Sequence, residues 1–286
     1  MLREIRGLGF EWAELSHGIR MSLLPGIIEA VEAGEMKISS LHNFCPLPMG
    51  VNHAAPNLYL FSSSDRRERE NAWRHSLKTI ETAARLKAAA VVLHLGRIEM
   101  KEYTERLLEM IREGRKESRK YAALCEEARE KLEEKKQEFV EQSGEMLDRL
   151  STAAAERGVK LGVENRQALE EIPLDSDLEL LLLEFKRPSV GYWHDCGHAQ
   201  IKENLGFMVH RLHLEALAPR LLGLHVHDVK YPGGDHAAPG SGTVDFGALK
   251  GMVKPEHIKV FELSPALTAE EVAGGVALIK QVWGAE

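Results

Sequence analysis

Ionisable residues close nearly every β-rich segment of this sequence: His42, His94, Glu164, Asp195, the pair His225 and His227, and Glu262 each stand just before a loop. Carboxylates and imidazoles inside apolar strands are costly to bury unless they are paired or bind a metal. Several carboxylates with an imidazole make a hard, oxygen-rich donor set. That set suits Mn²⁺, Mg²⁺, Co²⁺ or Zn²⁺, with Mn²⁺ the favoured ion. His225 and His227 are two residues apart and so share one strand face. Asp195 and His198 have an Asp-x-x-His spacing that equally fits a capped turn. Taken singly, His42 and His94 read as core histidines, and Cys196 as a small buried hydrophobe. The glycine-rich stretch Asp235–Asp245 reads as a turn; it lacks the G-x-x-x-x-G-K-[ST] form that cradles nucleotide phosphate. His17, His53, His75, His194, His210, His213 and His257 lack a comparable context and are assigned to surface or packing. The set carries the chemistry, not any one member.

Bringing that set together requires particular elements. Seven short β-rich segments recur: 11–15, 37–44, 90–96, 160–165, 190–197, 222–229 and 258–265. Helical spacing runs between them, over 76–90, 176–185, 201–217 and 268–283, the last opening on a Thr268-Ala-Glu-Glu capping-box pattern. Strands alternating with helices imply βαβ units and a parallel sheet, which at this length closes as a (β/α)8 TIM barrel. In such a barrel all carboxyl ends open on one face, so residues far apart in sequence converge. Only seven strands are countable, and the chain starts on what reads as the first helix, so the first strand is expected to be missing. A long charged helical insertion follows the fourth strand, counting the missing one. From 99 to 141 it holds 11 basic and 13 acidic residues, with Tyr103, Leu107, Ile111, Leu124, Ala128 and Leu132 at helical spacing. The expectation is one or two solvated helices, an arm over about 99–150, within a single domain 1–286.

The chain has 286 residues, 44% of them apolar, with a formal charge of −7. That composition supports a substantial core and discourages nucleic-acid binding, which needs a basic face. No stretch approaches the roughly 20 apolar residues of a membrane span, and the start resembles no signal peptide. Cys45, Cys125 and Cys196 are widely spaced, which fits a reducing cytoplasm. The expectation is a soluble cytoplasmic protein without a membrane partner.

The pieces LGFEWAEL, SSLHNFCP, VVLHLG, GVENR, VGYWHDCGH, GLHVHDVK, DHAAPGSGTVDF and VFELSP, in this order, resemble the xylose isomerase-like TIM-barrel superfamily of sugar phosphate isomerases and epimerases. That group includes ketose 3-epimerases, inosose dehydratase-type enzymes and endonuclease IV. The resemblance implies a divalent-metal-dependent isomerase or epimerase acting on a sugar, sugar phosphate or polyol, with proton transfer through an enediolate that the metal stabilises. It implies one metal ion held by Glu164, Asp195, His225 and Glu262, with His198 and His236 as candidates for a further ligand. Glu164 and Glu262 would exchange protons with opposite faces of the substrate, and His42, His94, His198, His227 and Lys230 would contact it. Alternatives are a polyol or inosose-type dehydratase, an abasic-site nuclease and a non-catalytic sugar-binding barrel. The position two before His236 is Gly234, where the nuclease branch has Asp. A homodimer would cover the edge left by a missing strand.

Overall fold

Apolar and β-branched runs of four to six residues set the strands, and the computed structural model, which describes residues 1–184 and 187–284, contains seven of them in one sheet. They are β1 (Trp12–Leu15), β2 (Lys37–His42), β3 (Ala90–Leu93), β4 (Lys160–Glu164), β5 (Val190–Asp195), β6 (Leu221–Val226) and β7 (Ile258–Phe261). Their hydrogen-bonded order is their order in the sequence. Helices fill the intervals: α1 (Leu2–Gly7), α2 (Leu24–Glu32), α3 (Arg66–Arg85), α4 (Tyr103–Arg112), α5 (Arg119–Glu156), α6 (Asp175–Glu184), α7 (Cys196–Leu205), α8 (His210–Leu217), α9 (Phe246–Leu249) and α10 (Ala269–Trp283). The strand count and the strand–helix alternation are those expected. The expected strands overrun the observed ones, chiefly at their carboxyl ends, so His94 and Glu262 stand in loops just past β3 and β7.

The chain divides into two compact units. The first comprises residues 1–96, 141–164 and 180–191; the second comprises 97–140, 165–179 and 192–286. In the first, β1, β2, β3 and β4 pair in parallel, with Ser40 opposite Ala90 and Val91 opposite Leu161. Leu41, Val91, Val92, Leu93 and Leu161 form its fully buried centre. Helix α3 starts ten residues before the expected Ser76, because the Asp65 side chain accepts from the Arg67 N–H and caps it there. Its buried stripe is Ala72, Ser76, Thr79, Ile80 and Ala83, so Leu77 and Ala84 are half-buried rather than central.

In the second unit β5 and β6 pair in parallel with Asp195 opposite His225, and β6 pairs with β7 with His225 opposite Val260. The single helix expected near 201–217 is two. Helix α7 begins directly after Asp195 and ends at Gly206, whose φ of +83° is a left-handed conformation that suits glycine; α8 begins afresh at His210. The charged segment forms α4 and the 38-residue α5, and the latter runs on to Glu156, past the expected end of the arm. These helices are not wholly solvated, since Tyr103, Leu107, Ile111, Leu124, Ala128 and Leu132 are buried while the charges stay outside. Buried Glu170 accepts from the Thr104 N–H at 3.0 Å and also from the Tyr103 N–H, fixing the start of α4. The Tyr121 hydroxyl donates to the Leu205 carbonyl at 2.8 Å, tying α5 to the end of α7. The expected capping box is present at α10, with Thr268 and Glu271 bonded reciprocally. Helix α6 ends at Glu184, and Phe185, the expected end of that helix, lies outside the described residues. No helix among the described residues is long and apolar enough to cross a membrane.

Candidate active site

In the first unit the site is built on Glu164, the last residue of β4. Its side chain is almost wholly buried, with Oε2 2.8 Å from His94 Nε2 and 3.4 Å from His42 Nε2. His42 donates Nδ1–H to its neighbour's carbonyl, Asn43 O, at 2.9 Å, and His94 Nδ1 meets Asn57 Oδ1 at 3.0 Å. An imidazole that gives its Nδ1 proton to an oxygen presents, when neutral, a lone pair at Nε2. In both rings that lone pair faces the Glu164 carboxylate, and acceptor facing acceptor demands a proton or a cation between them. The rings of His42 and His94 meet edge to face at 4.6 Å, and His17 packs against His42 at 4.8 Å.

In the second unit, cross-strand pairing brings Asp195, at the end of β5, beside His225 of β6. His225 Nδ1 lies 3.6 Å from Asp195 Oδ2 and 3.0 Å from Glu262 Oε2. Asp195 and His225 are fully buried, whereas the Glu262 side chain is 27% exposed. One donor atom from each of the three lies within 4.8 Å of the others. Two carboxylates and one imidazole at this spacing fit a divalent cation. Asp195 also caps α7, its Oδ1 accepting from the His198 N–H at 2.7 Å. Burial works against its charge, but His198, His227 and His225 hold the carboxyl well below the usual carboxylate range.

His227 lies between two carboxylates, its Nε2 3.0 Å from Asp195 Oδ1 and its Nδ1 3.1 Å from Asp235 Oδ1. Burial opposes its charge, yet the two acids hold the imidazolium well above the ordinary histidine value. The close approach of α7 depends on Gly197, where a Cβ would sit 2.1 Å from His227 Cε1. His198 Nδ1 meets Asn165 O at 3.0 Å, and its Nε2 is 3.9 Å from Asp235 Oδ2. His236 stacks on His227 at 4.5 Å and directs Nδ1 to the Glu262 carbonyl at 3.0 Å. His227, Asp235 and His236 form a further group with metal-ligand spacing. Lys230 is exposed on a short ribbon (228–230 with 234–237), near enough to Glu271 to act on its charge.

The structure thus joins Glu164 with His42 and His94 in one unit, and Asp195, His225 and Glu262 with His198, His227 and His236 in the other. Sequence reasoning gave no role to Asp228. It is fully buried, and its carboxylate accepts from the N–H groups of Val229, Gly240, Gly242 and Val244 at 2.8 to 3.0 Å. An acid closing the His-x-His-Asp run, with a Gly-x-Gly loop following at 240–242, is the one signal that could have marked it. Asn165, within the GVENR motif, is a second such residue: its amide holds the backbone of Asp195.

A family model described as a xylose isomerase-like TIM barrel matches residues 2–273. No curated protein matches. Among solved structures, a D-tagatose 3-epimerase-like protein aligns with a TM-score of 0.70 at 16% identity, covering 99% of this chain and 91% of its own. The 3-keto-D-glucoside 4-epimerase from E. coli aligns with a TM-score of 0.68 at 16% identity, covering 98% and 92%. The IolI protein with a bound zinc atom aligns with a TM-score of 0.63 at 18% identity, covering 98% and 91%. At these identities the likeness is one of fold.

Proposed function

The chain belongs to the xylose isomerase-like TIM-barrel family, and from that premise we propose that it is a divalent-metal-dependent isomerase or epimerase acting on a sugar, sugar phosphate or polyol. The observation that carries the proposal is the convergence of donor atoms from buried Asp195 and His225 and half-buried Glu262, where neither burial nor hydrogen bonding alone accounts for two acids. The family resemblance implies Glu164 as a further ligand. That residue immediately precedes Asn165, which is bonded to both backbone groups of Asp195. Mn²⁺ is the favoured ion, and His198 and His236 are candidates for a further ligand. A bound divalent cation would supply charge to stabilise an enediolate.

The protein's own groups do the rest. Glu262, partly exposed, reaches substrate and takes a proton from the carbon beside the carbonyl. Glu164, on a different strand end, returns a proton to the opposite face. His42 and His94 orient the Glu164 carboxylate, and with His198, His227 and Lys230 they face sugar hydroxyls or a phosphate. The tagatose-type and 3-keto-glucoside epimerases among the similar structures favour a ketose or keto-sugar. The three cysteines, buried and without a disulfide, are compatible with a reducing cytoplasm.

The test is a panel of ketoses, keto-sugars and inososes in deuterated water with Mn²⁺ added. At least one substrate is expected to take up solvent deuterium and form an isomer or epimer. Glu262→Gln and Glu164→Gln are each expected to slow this by about 10²–10⁴-fold. A metal-loaded chain that exchanges no deuterium with any member overturns the reading.

A further inference from the structure

Behind Asp195, within the second unit, lies a buried hydrogen-bonded chain that the proposed chemistry does not use. The Asn165 amide pairs with both backbone groups of Asp195: Nδ2 donates to the carbonyl at 3.0 Å, and Oδ1 accepts from the N–H at 2.7 Å. Tyr192 Oη is 2.9 Å from the same Oδ1 and 2.8 Å from His194 Nδ1. His194 Nε2 meets His210 Nε2 at 2.9 Å, and His210 Nδ1 meets Gln200 Oε1 at 3.3 Å. All five side chains are buried.

Counting protons gives this chain a direction. Asn165 Oδ1 is an acceptor, because the amide nitrogen is committed to the Asp195 carbonyl. Gln200 Oε1 is an acceptor too, because its nitrogen already donates to Glu203 Oε2 and Asn204 Oδ1, both at 3.1 Å. Four links therefore run between two acceptor ends, and each needs a proton. Tyr192 has one hydroxyl proton and gives it to Asn165 Oδ1, so its 2.8 Å contact with His194 takes the proton of His194 Nδ1, and the 2.9 Å contact between the two Nε2 atoms takes that of His210, one proton from each neutral ring. Tyr192 contributes the third. Three protons serve four links, and the longest, between His210 and Gln200, is the one left without. The other three then all point toward Asp195: His210 Nε2–H to His194, His194 Nδ1–H to Tyr192, and Tyr192 O–H to Asn165.

We infer that Tyr192, His194 and His210 are positioning residues, whose one-way chain locks the Asn165 amide and thereby the backbone from which Asp195 offers its carboxylate to a divalent cation. The direction of the chain stands on geometry alone, while its consequence rests on the metal reading above. A partner that orients a metal ligand from outside is typically worth 10–100-fold in metal affinity. His194 and His210, assigned to surface or packing from the sequence, acquire a role through it.

Two measurements on the full chain test this. Imidazole ¹⁵N chemical shifts are expected to show His194 protonated at Nδ1 and His210 at Nε2. Calorimetric titration with Mn²⁺ is expected to show Tyr192→Phe weakening binding about 10-fold. Leu249→Ala, a cavity variant elsewhere in the same unit that also loses thermal stability, is expected to bind Mn²⁺ within about twofold of the unaltered chain. His194 protonated at Nε2 overturns the inference. So does Tyr192→Phe binding Mn²⁺ as tightly as the unaltered chain, or Leu249→Ala weakening it equally. An unaltered chain that binds no Mn²⁺ defeats the metal reading instead, and the ¹⁵N pattern then decides the direction of the chain by itself.

Discussion

His210 illustrates how one buried imidazole writes itself into stability. Burial, with His213 nearby, holds it down to about 3, so the folded chain keeps it neutral at every pH at which an unfolded chain titrates it near 6.5. Below pH 6.5 the unfolded state binds more protons than the native one, and stability falls as pH falls, until His210 itself protonates near 3. His227 has the opposite sign: its value is raised, so its contribution is present below about 6.5 and is lost as pH rises through its folded value. Comparing chains separates the two. Relative to pH 8, the unaltered chain should lose about 1.4 kcal/mol at pH 5.5 on account of His210 alone. His210→Gln should lose that much less over the same interval, as urea unfolding at the two values would measure. Equal losses in both chains would show that His210 is protonated in the folded state.

The elements explain why the site's residues differ so much in how readily the sequence shows them. Strand–helix alternation, seven strands and the α10 capping box were all legible, because each is a local pattern of apolar spacing or capping chemistry. So were the residue types at the strand ends. The break at Gly206 was not: Ile201 and Leu205 before it and Leu214 and Leu217 after it are all buried apolar positions, and a four-residue link, 206–209, opening on a left-handed glycine separates the two helices. Asp228 escaped for another reason. Its partners are the N–H groups of Gly240, Gly242 and Val244, more than ten residues on, and backbone donors leave no mark in a sequence. That cradle predicts a measurable cost. Asp228→Ala would strand three buried or half-buried amides of the loop between the ribbon and α9, each worth about 1–3 kcal/mol when left unsatisfied. Unfolding in urea should show a loss of more than about 3 kcal/mol, with Asp228→Asn, which keeps acceptor capacity, losing clearly less. A loss below 1 kcal/mol for Asp228→Ala would mean that water replaces the carboxylate and that the loop is not built on it.

At the scale of the whole molecule the net charge of −7 selects among the chemistries that this family's fold supports. The histidine and carboxylate groups around Glu164 and around Asp235 offer more ligand positions than one ion needs, which by itself would suit a phosphodiester-cleaving centre. Affinity for a duplex, however, comes mainly from neutralising phosphates with Lys and Arg, and each such contact steepens the dependence on salt. The richest supply of basic residues in this chain is the segment holding α4 and α5, and there they are matched by acids. Arg112 pairs with Glu105, Lys131 with Glu134, and Lys136 with Glu133 and Asp177. Pairs of this kind leave no net positive field to attract a polyanion. A 30-bp duplex carrying an abasic-site analogue, incubated with the Mn²⁺-loaded chain at 0.15 M salt, should therefore be neither cleaved nor bound more tightly than about 100 μM. Lowering the salt to 0.05 M should change little, since few counterions would be released. Cleavage that strengthens steeply as salt is lowered would require a basic surface and would move the chemistry proposed for Glu164, Asp195 and Glu262 from sugars to nucleic acid.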